Sequence, residues 1–231
     1  MPQVDSHPAT AVAVAKAISE APPVVSGISP KPVRQSNGLK EFLWQVDGIS
    51  RGHLLDMGPV RQSTITFFIE RGFKVYTEDL LSTWKQFLDD EEQLGKSLSM
   101  DADRSSLTPE DRAKRFLDTT MLYPDNTFDA VLMWDILDYL DSDLVGKLVA
   151  RLTSLVRDGG VVLSLFHSRK PILFHRYRVA DSQSLELINA SCPFKAQRVF
   201  QNREIEDLFR RYRSSKMFVG RDQLREGLFI K

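Results

Sequence analysis

Between His53 and Phe166, short apolar runs alternate with stretches of helical spacing at least four times. That alternation constrains the chain more than any other feature, because strands lying parallel need a crossover, usually a helix, between them. His53–Met57 (HLLDM) is the first run, closing on an acid just before Gly58. Ser63–Arg71 (STITFFIER) then repeats at helical spacing and stops at Gly72, a usual terminator. Phe73–Thr77 (FKVYT) is the second run and ends in Glu78-Asp79, after which Leu80–Leu88 is helical again. Phe128–Met133 (FDAVLM) and Val161–Phe166 (VVLSLF) are the later runs. A long amphipathic helix over Ser142–Val156 and the turn Asp158-Gly159-Gly160 stand between them. Runs this apolar suit strands covered on both faces. The expectation is an α/β, doubly wound, mostly parallel sheet.

The flanks read differently. Leu39–Val46 (LKEFLWQV) is a short helix with Leu39, Phe42, Leu43 and Val46 on one face. Asp89–Leu107 is polar and reads as loop or weak helix. Thr108-Pro109-Glu110-Asp111 starts another helix, with a hydroxyl N-cap, proline at N1 and acids in the first turn. Arg176–Val179 and Leu185–Ile188 predict a late pair of strands around a turn, and so an antiparallel C-terminal addition to the sheet. Asn202–Tyr212 reads as a helix and Gly227–Lys231 as a last strand. Residues 1–37 hold Pro22-Pro23, Pro30 and Pro32 and no aromatic, so they can bury little. They are expected to be a disordered tail ahead of one domain over residues 38–231.

Charge favours no partner globally, since Lys+Arg and Asp+Glu both number 31. Its distribution is uneven: His167–Lys231 holds 14 basic and 7 acidic residues, and the remainder is mildly acidic. Arg210, Arg211, Arg213, Lys216, Arg221 and Arg225 interleave there with Phe209, Tyr212 and Phe218, a pattern that could meet nucleic acid. Glu204, Glu206, Asp207, Asp222 and Glu226 among them favour a solvated face that pairs with itself. Cys192 is the lone cysteine, which excludes an internal disulfide and a cysteine-rich metal site. His53, His167 and His175 are too dispersed for metal-ligand spacing, and no metal is expected. No apolar run approaches the roughly 20 residues of a membrane span. The first residues lack the basic start and long apolar stretch of a secretory leader, so a cytoplasmic protein is the expectation.

In an open α/β sheet, ligands sit beyond the C-terminal strand ends, near the point where strand order reverses. Asp56–Arg61, Glu78-Asp79, the Leu117–Pro124 region and Trp134–Asp138 would therefore surround one crevice. A glycine after the first strand lets backbone approach a ligand closely. An acid after the second can accept from both hydroxyls of a ribose, since a carboxylate has two oxygens and no proton to give.

These residues carry a resemblance. His53–Phe166 resembles the class I S-adenosylmethionine-dependent methyltransferases, whose first motif is an apolar strand followed by Asp-x-Gly-x-Gly-x-Gly, with a second acid closing the next strand. The counterparts are Leu54-Leu55-Asp56-Met57-Gly58 and Lys74-Val75-Tyr76-Thr77-Glu78-Asp79, with Asp56 and Asp79 separated as in that family. Tyr123-Pro124-Asp125-Asn126-Thr127-Phe128-Asp129 is similar to the family's Pro-Asp-x-Ser-Phe-Asp stretch, and Asp158-Gly159-Gly160 to its Pro-Gly-Gly turn. The resemblance implies a Rossmann-like fold, S-adenosylmethionine as cofactor and an unidentified methyl acceptor. It implies that Asp56 and Gly58, with Met57 and Pro59 in the same loop, face the methionine end. Asp79 would take the ribose and Asp118 the adenine, with Met133 and Trp134 as the floor.

The departures fall on the cofactor loop. Val60 and Gln62 stand where the family has its second and third glycines, and Pro59 removes an N–H. Two readings stay open: methyl transfer to an acceptor, or a catalytically silent domain of the same fold kept as a binding or scaffold module. In the silent domain Val60, Arg61 or Gln62 would fill the pocket. A nicotinamide-dependent dehydrogenase shares the first strand, turn and acid but not the later motifs. Asp56 and Asp79 could also serve as turn or helix caps, and Trp134 as packing. Asp135 alone does not identify a general base, because methyl transfer to a good nucleophile needs mainly positioning and desolvation.

Overall fold

The computed structural model describes residues 32–97, 108–220 and 222–231. The chain enters through β1 (Val33–Gln35) and α1 (Asn37–Gln45). It then alternates through β2 (His53–Asp56), α2 (Gln62–Ile69), β3 (Lys74–Thr77), α3 (Leu80–Ser97) and α4 (Pro109–Thr119). Next come β4 (Phe128–Trp134), a 3-10 turn (Ile136–Tyr139), α5 (Ser142–Leu155) and β5 (Val156–His167). The last part adds β6 (Phe174–Val179), β7 (Ser184–Ala190), α6 (Asn202–Leu208), β8 (Ser214–Val219) and β9 (Leu224–Ile230).

Six strands form the main sheet in the order β3-β2-β4-β5-β9-β8. β3, β2, β4 and β5 are mutually parallel, and β9 runs against both β5 and β8. The fold is thus the expected doubly wound α/β sheet with an antiparallel C-terminal addition. Residue alternation divides its faces. Leu55, Val131, Met133, Val162 and Phe166 pack with Leu80 and Trp84 of α3, Phe116 of α4, Leu148 of α5 and Ile205 of α6. Leu54, Ala130, Leu132, Trp134 and Leu163 pack on the other face with Leu39 and Phe42 of α1 and Phe68 of α2. This is the period of two that puts successive strand residues on opposite sides.

The antiparallel addition is built from different strands than expected. β6 and β7 do not join the main sheet; they form a second sheet, β1-β7-β6, whose Tyr177, Val179 and Leu185 pack among the α1 and α2 residues. The added strands are β9 and β8, and β8 goes unseen in the sequence because its outward Ser214, Ser215 and Lys216 give no alternation. Residues 33–37 likewise belong to the folded body rather than to a tail. Leu187 N donates to Pro32 O at 2.9 Å and Ser36 caps α1 by accepting from Leu39 N. The Arg34 guanidinium pairs with Asp222 and Glu226, so partners almost two hundred residues away hold this segment. Residues 1–31, also read as tail, lie outside the described residues. No helix among the described residues is long and apolar enough to cross a membrane.

Candidate functional site

The parallel strands deliver their C-terminal ends to one side, as the sequence reading requires. Asp56 ends β2, and its carboxylate turns back on its own loop to accept from Gly58 N at 3.0 Å. The loop Met57–Gln62 uses no positive φ, so Val60 and Gln62 sit in ordinary backbone without the strain their glycine-like positions would suggest. Both are exposed, Val60 at 66%, and neither enters the crevice. Gly58 is needed for a different reason: a Cβ there would lie 2.9 Å from Trp134 Nε1.

Trp134 is the last residue of β4 and holds φ at 55°, an unusual conformation for a bulky residue. Three contacts keep it there. Its indole Nε1 donates to Asp56 Oδ1 at 2.6 Å, its carbonyl accepts from Ser164 Oγ at 3.1 Å, and its ring stacks on Tyr177 with centroids 5.7 Å apart. The second acid is also engaged. Asp79, just past β3, accepts from Arg176 Nη1 at 2.9 Å through Oδ2 and faces Ser82 N at 3.4 Å through Oδ1. Arg176 and Tyr177 both come from β6.

Met57, Gly58, Pro59, Asp79 and Trp134 therefore do converge on one crevice, with Arg176 and Tyr177 closing it. About 20 Å³ is left, room for about one water. Asp118 is not brought in; it is exposed on α4. Met133 points away into the core on the α3–α5 side of the sheet. Burial pushes Asp56 up to about 6, against the pull of its bonds from Trp134 and Gly58.

Behind Trp134 lies a group of ionisable residues that the sequence reading did not assemble. Asp135 is fully buried and accepts from Tyr177 Oη at 3.1 Å. Burial pushes it up to about 7, while the nearby His167 pulls the other way. Asp138 Oδ2 takes His167 Nδ1 at 2.9 Å and His167 N at 2.8 Å. Burial raises Asp138. Burial alone would lower His167, but the bond to Asp138 and the charges of Asp135 and Asp138 leave it raised. Among the described residues, no group of three or more His, Cys, Asp or Glu is arranged to hold a metal ion. Nothing local announces these partners: Arg176 lies 97 residues from Asp79 and His167 lies 29 from Asp138.

The donor set suits a nucleoside carrying an aminoacyl sulfonium, with two carboxylates and a close backbone approach. The space does not, as the side chains stand: the indole covers Gly58 and Arg176 holds Asp79. No family model and no curated protein matches the chain. Solved structures match it at low identity. One is the 1,6-didemethyltoxoflavin-N1-methyltransferase of Burkholderia thailandensis with 1,6-didemethyltoxoflavin and S-adenosylhomocysteine bound; it is 17% identical over 84% of this chain and 76% of that one, with a TM-score of 0.46. A SAM-dependent methyltransferase from Archaeoglobus fulgidus is 11% identical over 84% and 91%, with a TM-score of 0.47. Another from Aquifex aeolicus is 12% identical over 83% and 88%, with a TM-score of 0.42. At these values the likeness is one of chain path alone, and the fold stands on the strand order given above.

Proposed function

We propose that the crevice at the ends of β2 and β3 takes S-adenosylmethionine and that the chain transfers its methyl group to an acceptor not yet identified. The observation that supports this reading is the placement of Gly58 and Asp79 in one crevice at adjacent parallel strand ends, with Asp56 buried beneath it and bonded to Gly58 N and Trp134 Nε1. The cofactor supplies an electrophilic methyl group. The chain's part is to bind, to orient and to keep water out, which a crevice already lined by Met57, Pro59 and Trp134 can do. Admission requires Arg176 to release Asp79 and the Trp134 ring to leave Gly58. The first step costs about 1–3 kcal/mol, the penalty for leaving one partner of a largely buried pair unsatisfied. A cytoplasmic location belongs to the same reading and rests on the lone Cys192.

A second reading has its own support: a catalytically silent domain of this fold, closed by Trp134, Tyr177 and Arg176. Isothermal titration with S-adenosylmethionine and S-adenosylhomocysteine separates the two. Binding should tighten in Arg176→Ala, which frees Asp79 from its competitor, and vanish in Asp79→Ala. If neither ligand binds wild type or Arg176→Ala at millimolar concentration, with both proteins folded, the silent domain stands and methyl transfer falls.

A further inference from the structure

Beside the closed crevice, across Tyr177 and His175, lies a second concavity of about 500 Å³. That is within the range of about 300–1,000 Å³ typical of small-molecule sites. Its floor is the end of β5, where His167 pairs with Leu224 of β9. Its mouth is the loop from Ser168 to Leu173. Two features distinguish it from an ordinary surface dip.

The first is an uncommitted set of donors. His167 Nδ1 is fixed on Asp138, so the ring's remaining nitrogen, Nε2, has no partner among the described residues. Arg169 and Lys170 stand at the mouth, and no carboxylate among the described residues pairs with either. The wall does contain one acid, Asp222, but Arg34 already holds it. The second feature is an apolar wall of Tyr177, Leu187 and Leu224, with Leu173 58% exposed at the rim. Two cations, Arg169 and Lys170, with no paired carboxylate among the described residues and beside bare apolar surface, call for a ligand that supplies both a negative charge and a hydrocarbon body.

We propose that this cavity binds an amphipathic carboxylate, its anion held by His167 Nε2, Arg169 and Lys170 and its apolar body lying along Tyr177, Leu187 and Leu224. The inference does not depend on what the neighbouring crevice binds. Several charges bear on His167. Asp135 and Asp138 face it from the turn after β4, Asp222 from the approach to β9, and His175 from β6, while Arg225 of β9 donates to its carbonyl. The acids prevail and keep the imidazolium to higher pH than a free histidine would. As that proton leaves, Nε2 changes from donor to acceptor and repels a carboxylate.

The test is a titration of the full chain with octanoate, and with octanamide as the uncharged control, followed by the ring proton resonances of His167 assigned through His167→Gln. Octanoate should move the His167 resonance saturably and raise its titration midpoint, and octanamide should do neither. The double variant Arg169→Gln/Lys170→Gln alters exposed side chains and should fold normally. It should bind octanoate about tenfold more weakly, as expected for losing charge-assisted hydrogen bonds. Equal binding of acid and amide, an unmoved His167 resonance, or full affinity in the double variant each overturns the proposal.

Discussion

The two concavities share Tyr177 and His175 yet stand in opposite states. In the crevice at the ends of β2 and β3, each acid meets a donor from elsewhere in the chain: Trp134 on Asp56 and Arg176 on Asp79. About 20 Å³ remains. In the cavity at the end of β5, Arg169 and Lys170 have no such partner among the described residues, His167 keeps Nε2 free beside its bond to Asp138, and about 500 Å³ is open. A site's polar groups and its free volume are thus separate properties. The first can be read from motifs, while the second depends on whether a distant side chain has already satisfied them. Trp134 is the residue on which the closed state turns.

Replacing it is therefore the strongest way to break the contrast. Trp134→Ala removes a buried ring, its stack on Tyr177 and the donor on Asp56. Deleting a buried tryptophan costs about 3–5 kcal/mol, and alanine gives nothing back at φ 55°, since it keeps the Cβ that strains that conformation. Urea unfolding should show a loss of that order. Calorimetry on the surviving folded protein should show tighter S-adenosylmethionine binding if the indole is the gate. A variant of unchanged stability would mean that the ring is not holding the crevice shut.

The buried acids give the next effect, and its sign is fixed. Asp56 and Asp135 are pushed up to about 6 and about 7 by burial, so between pH 4 and pH 7 the folded chain holds protons that the unfolded chain has lost. Stability must fall as pH rises through that window. The raised His167 acts in the same direction, its contribution fading as pH climbs through its folded pKa. Asp135→Asn keeps an acceptor for Tyr177 and removes the charge. It should flatten the slope and add a few kcal/mol at pH 8, measured by urea midpoints across pH. A slope that stays the same would show that Asp135 is not the titrating group.

Arg176→Ala comes third. Its pair with Asp79 is largely buried, so stability should fall by about 1–3 kcal/mol. Its use lies in the ratio: a large gain in cofactor binding against that modest loss of stability would mark Arg176 as a latch. Loss of both together would mark it as structural.

How far the sequence reveals this molecule differs between its parts. The strands of the parallel sheet are legible because their apolar runs are covered on both faces, and Thr108-Pro109 starts α4 as its capping chemistry demands. Asp89–Leu107 reads only as loop or weak helix, because it is polar and opens on four consecutive acids; residues 98–107 of it lie outside the described residues. In the fold those acids lie within α3, with Asp89 paired to Lys85 and Glu91 to Arg112 and Arg115. The Asp-Gly-Gly turn is likewise absorbed into β5, where Gly159 takes φ 83° and Gly160 bonds to Lys231. For the site, the motif names Gly58 and Asp79, which meet in one crevice, and Asp56, which lies buried beneath it. It cannot show the closure, whose members come from β4 and β6 and meet only in the folded chain.

The altered glycine loop is where the sequence points most firmly to a blocked site, and there the expected effect on cofactor binding is smallest. Val60 is 66% exposed and has no positive φ, and Gln62 opens α2 from the surface. Val60→Gly with Gln62→Gly restores the family's pattern yet removes nothing from the crevice. The double variant should lose about 1–2 kcal/mol, the backbone entropy of two added glycines, and should leave S-adenosylmethionine affinity where it was. A clear rise in affinity would shift the closure from Trp134 and Arg176 back to the loop, and the contrast between the two concavities would then rest on backbone path rather than on side-chain partners.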